Sequence, residues 1–254
     1  MCTATWSVGG GNLSLYFNRD ERKSRSEAVP PVVMDLDGTR LIAAIDPDGG
    51  GTWLAINEYG LCVFLLNNYG SEAQLAEVPI NPRSRGNLPI TLASCSSRSK
   101  ARAKLEEESF GCYRPFLVAI ADAEGIDFYS WSGKAFRASP PESGFVTTSS
   151  YRTDEIQKYR ELRYKDLLGG KSALGPEDMK RLHIGTPHSD AAFNPMMLRR
   201  DSRTRSVSHI TVDDEHVSYH YQAVKGEDRS LRGKVTVSLP RNEGVEAFDR
   251  ERWD

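Results

Sequence analysis

Short apolar runs that are paired across glycine-containing turns constrain the fold of this 254-residue chain more than any other sequence feature. The turns lie at residues 9–11, 57–60 and 124–125. Glycine supplies the positive φ that tight turns need, so each pair of flanking runs is predicted to form a β-hairpin. Both arms of the second hairpin are rich in apolar residues, which is typical of strands in the centre of a covered sheet. The predicted strand pairs are 3–8 with 12–17, 52–56 with 61–66, and 116–121 with 126–131.

Helical periods occur mainly in the middle of the chain. They predict helices over residues 94–108, 153–168 and 176–182, the second of them ending at Gly169-Gly170. Further strands are predicted at residues 145–148, 207–212, 217–221 and 234–239. Hairpins at both ends with helices between them favour antiparallel sheets with packed helices over alternating βαβ units. We find no long linker and expect one domain over residues 1–254.

Composition and charge exclude several classes of protein. The net charge is −2 with both signs interspersed, so we expect no nucleic-acid partner. No apolar run approaches the roughly 18–20 residues that span a bilayer, so we expect no integral membrane association. The four cysteines form no Cys-x-x-Cys pair and the five histidines show no metal-ligand spacing, so neither a metal site nor a disulfide framework is predicted. The cytoplasm is the expected location.

The first two residues carry the clearest chemical signal. Met1 precedes Cys2, a small residue, and methionine aminopeptidases generally remove methionine in that context. The mature chain would then carry a thiol and a free α-amino group on one Cα. Because the α-amino pKa is about 7.7–8.0, the neutral amine can accept the thiol proton, which gives a nucleophile and a base without a histidine. The alternative is that a cysteine at position 2 is simply the start of a chain.

An ordered set of motifs connects the chain to a known family. Three of them lie near its start: Met1-Cys2-Thr3, Asn18-Arg19-Asp20-Glu21 and Gly50-Gly51-Thr52-Trp53. Others follow further along: Leu66-Asn67, Ser84-Arg85-Gly86, Pro115-Phe116, Thr148-Ser149-Ser150 and Thr204-Arg205-Ser206. Together they resemble the NRDE family, of the transport-and-Golgi-organisation type, which is named for the second motif.

This family in turn resembles the N-terminal-nucleophile (Ntn) hydrolases, in the choloylglycine hydrolase and penicillin acylase branch that begins with Cys-Thr. The resemblance implies an α+β fold, a four-layer αββα sandwich of antiparallel sheets. It also implies a hydrolase or acyltransferase acting on the carbon–nitrogen bond of an amide, without a cofactor. Two positions depart from that branch: Phe17 stands where the branch carries Arg, and Ser149-Ser150 stands where it carries an Asn pair.

The resemblance and simple chemistry assign candidate catalytic roles. Cys2 is the nucleophile, and Asn67 at a strand end donates its amide N–H to the developing oxyanion. Asp20 holds the α-amino group by a charge-assisted hydrogen bond. Arg205, at a strand start, is placed to orient Asp20 or to lower the thiol pKa through its charge. Its alternative role is a structural ion pair.

Three further residues are candidate substrate contacts: Asn18, Arg19 and Ser149. The alternative interpretation of residues 18–21 is a helix N-cap or a turn with solvated charges. Trp53 is expected in the core, and Gly50-Gly51 is expected to permit a close approach of the chain to a neighbouring strand.

Two other functions stay open at this point. One is a non-enzymatic protein on the same fold that binds haem or an acyl lipid, since some members of the family are linked to such ligands. The other is a haloacid-dehalogenase-type phosphatase, because residues 33–39 resemble its first motif, with Asp35 as nucleophile. Against the phosphatase, Pro30-Pro31 would truncate the preceding strand, and no later Gly-Asp-x-x-x-Asp motif appears. In the NRDE interpretation this stretch is a turn before a strand at residues 41–45.

Overall fold

A computed structural model describes residues 2–75, 77, 79–185 and 187–242. Within these residues the strands form two antiparallel sheets, each of seven strands. The first sheet contains β1 (Cys2–Gly9), β2 (Asn12–Arg22), β10 (Phe145–Thr148), β11 (Ser202–Val212), β12 (His216–Lys225), β13 (Ser230–Leu231) and β14 (Val235–Pro240). Its spatial order is β10-β1-β2-β11-β12-β13, and β14 also pairs with β12. The N-terminal strand is therefore internal to its sheet.

In the second sheet neighbouring strands follow one another in chain order, as in a meander. It contains β3 (Val29–Leu36), β4 (Thr39–Ile45), β5 (Leu54–Asn57), β6 (Cys62–Asn67), β7 (Phe116–Ala121), β8 (Ile126–Trp131) and β9 (Phe136–Ala138), in that spatial order. The hairpin of β5 and β6 lies in the middle, and the side chains of both strands are almost all buried. The predicted central position of this hairpin is confirmed.

The helices lie in two groups. α1 (Tyr69–Glu72), α2 (Asn87–Ala93) and α3 (Arg98–Glu106) lie between β6 and β7 in the chain, and α4 (Thr153–Leu168) and α5 (Pro176–Ile184) lie between β10 and β11. A 3₁₀ turn covers Phe110–Cys112. α2 and α3 cover the outer face of the second sheet, and α4 and α5 cover the outer face of the first.

Three apolar cores define the layers. Aromatic side chains of both sheets, such as Trp6, Phe17 and Phe64, meet in the core between the sheets. A second core joins the outer face of the second sheet to α2 and α3, and a third joins the first sheet to α4 and α5. The layers therefore run helix, sheet, sheet, helix, and the predicted four-layer sandwich of antiparallel sheets is confirmed.

Several local predictions were wrong. Of the helix expected at 94–108, only residues 98–106 are helical, as α3. α2 ends before this range, at Ala93, and Ser97 adopts an extended conformation and caps α3 by accepting from Lys100 N. Residues 18–21 lie in β2 and form neither a turn nor a helix cap. The stretch expected to be a turn continues as β3 to Leu36, and the chain reverses at Asp37 and Gly38, which both have positive φ.

In the part of the chain that the structure describes, none of the helices has the length and apolar character needed to cross a membrane. The extent of one domain over residues 1–254 stays a prediction, and residues 243–254 lie outside the described part. The cytoplasmic location stays a prediction as well.

Candidate active site

A cleft of about 610 Å³ lies at the end of the first sheet where β1 begins. Cys2 lies directly opposite Arg19 in the register of β1 and β2. The cleft walls also come from the chain segments that follow β4 and β6 and from the segment before α2. Of the predicted site residues, Cys2, Arg19, Asp20 and Asn67 line this cleft.

The Cys2 thiol is buried, with 8% of the residue exposed. Burial raises its pKa to about 11, and a hydrogen bond from the Asp20 backbone and the charge of Arg19 oppose this rise. A thiol with this pKa is almost wholly protonated at neutral pH. Since the thiolate is the nucleophile, attack from this position needs a base that takes the proton.

Asp20 is a buried carboxylate held by two neighbours. Its Oδ1 accepts a hydrogen bond from Thr204 Oγ1 at 2.6 Å, and its Oδ2 lies 3.8 Å from Arg160 Nη1. Burial raises the pKa of this carboxyl group, and the Arg160 charge lowers it. The charged form of Asp20 therefore depends on Arg160.

Arg160 was missed in the sequence. It projects from α4, is fully buried, and donates to the carbonyls of residues 192–194 and to the hydroxyls of Thr3 and Thr147. Burial lowers its pKa, and Asp20 opposes that shift. A signal was available: residue 160 lies four positions from both Ile156 and Tyr164, which are the other buried residues of α4.

Arg205 does not take the role expected for it. A bulge in β11 makes Thr204 pair with Asp20 and Ser206 pair with Arg19, so Arg205 is the extra residue and leaves the ladder. Its guanidinium donates to the Arg25 carbonyl at 3.1 Å, and it is not among the described residues that line the cleft. The prediction that Arg205 orients Asp20 is corrected, because Arg160 occupies that position.

Asn67 ends β6 with its side chain in the cleft. Its Nδ2 donates to Tyr69 Oη at 2.8 Å, and Tyr69 lines the cleft as well. Burial raises the pKa of Tyr69 to about 12, so its hydroxyl keeps its proton at neutral pH. The two side chains thus place an amide group and a hydroxyl group in the cleft that Cys2 also lines, and Tyr69 was missed in the sequence.

Two predicted substrate contacts lie elsewhere. Asn18 points to the outer face of the first sheet, where its Nδ2 donates to the carbonyls of His183 and Pro195. Ser149 closes a turn before α4 by donating to the Tyr151 carbonyl at 2.6 Å and accepting from Tyr151 N. Their polar groups are used within the fold, and neither is among the described residues that line the cleft.

Asp35 also lies away from the cleft. It is on β3 at the edge of the second sheet, and its Oδ1 accepts from Gly38 N at 3.0 Å in the turn to β4. An aspartate that stabilises a hairpin turn in an antiparallel sheet does not fit the phosphatase interpretation, which was wrong.

Comparison with known proteins agrees with this architecture. A family model described as Transport and Golgi organisation 2 matches residues 1–169. No curated protein matches the chain. The C2A mutant of conjugated bile acid hydrolase from Clostridium perfringens is similar in structure, with a TM-score of 0.56 and 11% sequence identity over 96% of this chain and 98% of that one.

The N-acylethanolamine-hydrolyzing acid amidase ortholog from Caenorhabditis elegans is also similar, with a TM-score of 0.57 and 10% identity. The match covers 83% of this chain and 92% of that one. At these identities the likeness establishes the fold, which is that of the N-terminal-nucleophile hydrolases.

Proposed function

This chain belongs to the Transport and Golgi organisation 2 family, also named NRDE after its tetrapeptide, and we propose that it is an N-terminal cysteine amidohydrolase or acyltransferase. It would act on the carbon–nitrogen bond of a small-molecule amide. One observation carries the proposal: the buried thiol of Cys2 lies at a cleft where Asp20, Asn67 and Tyr69 also converge.

The first step needs a base because burial of Cys2 favours the protonated thiol. Removal of Met1, which lies outside the described residues, creates a free α-amino group on Cys2 itself. This amine takes the thiol proton, directly or through water, and becomes an ammonium group. In its charged form the Asp20 carboxylate, whose pKa the Arg160 charge lowers against the effect of burial, stabilises that ammonium group.

The thiolate then attacks the amide carbonyl carbon and forms a carbon–sulfur bond. The developing oxyanion accepts hydrogen bonds from Asn67 Nδ2 and Tyr69 Oη, whose geometry is fixed by their mutual contact. Collapse of the tetrahedral intermediate breaks the carbon–nitrogen bond, and the ammonium group gives its proton to the departing amine. Water or a second nucleophile attacks the resulting thioester, releases the acyl group and regenerates the thiol.

The similar structures support an amide as the substrate class. One of them is named as a hydrolase of conjugated bile acids and the other as an N-acylethanolamine-hydrolyzing amidase. The first is the C2A mutant of its protein, in which a cysteine is replaced by alanine. These names describe those proteins, and they motivate a panel of N-acyl amides as first substrates here.

Labelling of the thiol tests the proposal. We expect the purified protein to have a mass short by one methionine and to react with an amide-directed electrophilic probe at Cys2. Cys2→Ala should abolish labelling. Cys95→Ala should leave the labelling unchanged. Cys95 is partly exposed, packs against the second core and is not among the described residues that line the cleft.

A chain with one residue inserted between Met1 and Cys2 separates the thiol from the α-amino base, and we expect it to lose amide turnover. Equal labelling of wild type and Cys2→Ala, or full turnover by the insertion variant, would contradict the proposal. Saturable binding of haem or an acyl compound without turnover would instead support the binding-protein alternative.

A further inference from the structure

We propose that Arg19 and Trp53 form a carboxylate-binding subsite beside the thiol, so that the preferred substrate is an amide with a carboxylate a few bonds from the scissile carbonyl. This inference rests on the proposed function for its catalytic readout. The subsite itself is a binding site and can be tested without turnover.

The strand register brings Arg19 close to the reacting atom. Cys2 and Arg19 are directly opposite in an antiparallel pair, and side chains at such positions lie on the same face with Cβ atoms about 4.5–5.5 Å apart. The charge of Arg19 acts on the Cys2 thiol, which agrees with this proximity. A substrate whose carbonyl meets Cys2 therefore extends past the Arg19 side chain.

The Arg19 guanidinium is fixed but incompletely used. Only 3% of the residue is exposed, Nη2 donates to Asp46 Oδ2 at 3.0 Å, and the guanidinium carbon lies 4.5 Å from the Trp53 ring centroid. The other terminal nitrogen, Nη1, is buried and has no hydrogen-bond partner among the described residues. A buried donor without an acceptor is unfavourable, so Nη1 is prepared for an acceptor that the fold does not supply.

Trp53, which stacks on the Arg19 guanidinium, also has a buried donor without a partner among the described residues. It is 6% exposed, it lines the same cleft, and the donor is its indole Nε1. Two unused N–H donors thus belong to one stacked pair. A carboxylate has two oxygens that only accept hydrogen bonds, whereas an ammonium group offers only donors and cannot satisfy either nitrogen.

The charges around Arg19 leave it able to bind an anion. Asp46, its closest carboxylate, also accepts from Arg25 Nε at 2.8 Å and from the backbone N–H groups of Asp48 and Gly49. Glu21 lies farther away, 3.8 Å from Nη2. Asp46 therefore acts as a shared anchor that sets the orientation of the guanidinium and leaves the Nη1 edge for another acceptor.

Matched substrate pairs test the subsite. N-succinyl and N-butyryl amides of one fluorescent amine place a carboxylate or a methyl group at the end of equal acyl chains, and N-butyrylglycine and N-butyrylethylamine make the same comparison on the amine side. We expect wild type to favour the carboxylate member of at least one pair by tenfold or more in kcat/KM. The pair that shows the preference identifies the side of the scissile bond that faces Arg19.

Variants assign that preference to the two side chains. R19Q should lower the carboxylate-to-neutral ratio by about tenfold, and W53F, which keeps a ring but removes the indole N–H, should lower it severalfold. R181Q is the matched control on the exposed side of α5 and should keep the wild-type ratio. The ratio is an internal measure, since a folding defect lowers the activity toward both members of a pair.

Calorimetric titration of the Cys2→Ala protein with the same amides separates this inference from the catalytic proposal. Tighter binding of the carboxylate members, lost in the C2A/R19Q double variant, would support the subsite even if wild type turns over no amide. Equal affinity for both members of each pair, or a preference that survives R19Q, would overturn it.

Discussion

Arg160 is the residue on which the charge of the candidate site depends most directly. It is an arginine in the apolar face of α4, and its burial is tolerated because carbonyls and hydroxyls surround the guanidinium. It lies 3.8 Å from Asp20, whose own burial raises the pKa of the carboxyl group. Removal of one member of such a pair leaves the other as an uncompensated buried charge.

Arg160→Met should therefore shift the pH dependence of catalysis. Without the cation the Asp20 pKa rises further, so the acid limb of the kcat/KM profile moves to higher pH. We also expect the free energy of unfolding to fall by about 3–5 kcal/mol. pH-rate profiles and denaturant unfolding measure both effects, with Arg163→Met, a partly exposed arginine of the same helix, as the control. An unchanged profile in a folded Arg160→Met protein would show that Arg160 does not act through Asp20.

At this scale the family motifs identified four residues that line the cleft, including Asn67 from the second sheet. They missed Arg160 and Tyr69, which belong to none of the motifs. Cys2 and Asp20 lie in the two paired strands of the first hairpin. The motif resemblance predicted that they share a site, whereas the local pattern predicted strands only at residues 3–8 and 12–17. Arg205 was misassigned because a one-residue bulge reverses the direction of a side chain, and such a bulge leaves no clear mark in the sequence. Arg160 was detectable from its helical spacing alone.

At the scale of elements, the close approach of two backbone segments at Gly51 and Gly86 fixes one wall of the cleft. Thr52 N donates to Gly86 O at 2.9 Å, which ties the segment before α2 to the segment before β5. A Cβ on Gly51 would lie 2.4 Å from the carbonyl carbon of Gly86. The backbones can approach this closely only because position 51 has no side chain. The segment held in this way carries Ser84 and Arg85 into the cleft.

Gly51→Ala should consequently displace that wall. We expect a loss of about 1–3 kcal/mol in the free energy of unfolding from overpacking, together with a higher KM for amide substrates. Thermal unfolding and steady-state kinetics test this. Gly233→Ala is the control, since a Cβ there meets open space, its φ lies outside the left-handed region and it belongs to no helix or strand. Wild-type KM in Gly51→Ala would mean that the wall does not contact substrate.

Elements with strong local signals were predicted well, and those whose limits depend on neighbours were not. The C-terminal end of the helix at 153–168 was predicted to the residue because two glycines follow it, and Gly169 does adopt the left-handed conformation. At its start the N-cap is Arg152, whereas Thr153 or Asp154 was expected. The proline pair at 30–31 was expected to truncate a strand. It is tolerated because β3 is an edge strand with a bulge between Val29 and Val32, where missing N–H groups disrupt less of the ladder.

At the scale of the whole molecule, a buried histidine joins the helical layer to the first sheet. Both ring nitrogens of His183, on α5, form hydrogen bonds to the first sheet. Nε2 lies 2.9 Å from Thr5 Oγ1, and Nδ1 lies 2.8 Å from Asn18 Oδ1. Asn18 Nδ2 donates to two carbonyls, which leaves its Oδ1 as the acceptor for a proton on His183 Nδ1. In the neutral ring with its proton on Nδ1, Nε2 accepts from the Thr5 hydroxyl.

This arrangement predicts how stability depends on pH. Burial lowers the pKa of His183 to about 3, whereas the unfolded chain has the ordinary value of about 6.5. Between these values the unfolded state binds a proton that the native state does not, so the free energy of unfolding decreases as the pH falls. His183→Gln cannot take up that proton. We expect its unfolding free energy between pH 6 and 4 to fall less steeply than that of wild type, by up to about 1.4 kcal/mol per pH unit.

Chemical denaturation at several pH values measures this slope. His216→Gln is the matched control, because the His216 side chain is about half exposed and should leave the wild-type slope unchanged. The comparison of slopes removes the contribution of carboxylates such as Asp20, which all three proteins share. Equal slopes for His183→Gln and wild type would mean that His183 is protonated in the native state, and the contact between α5 and the first sheet would then need a charged ring.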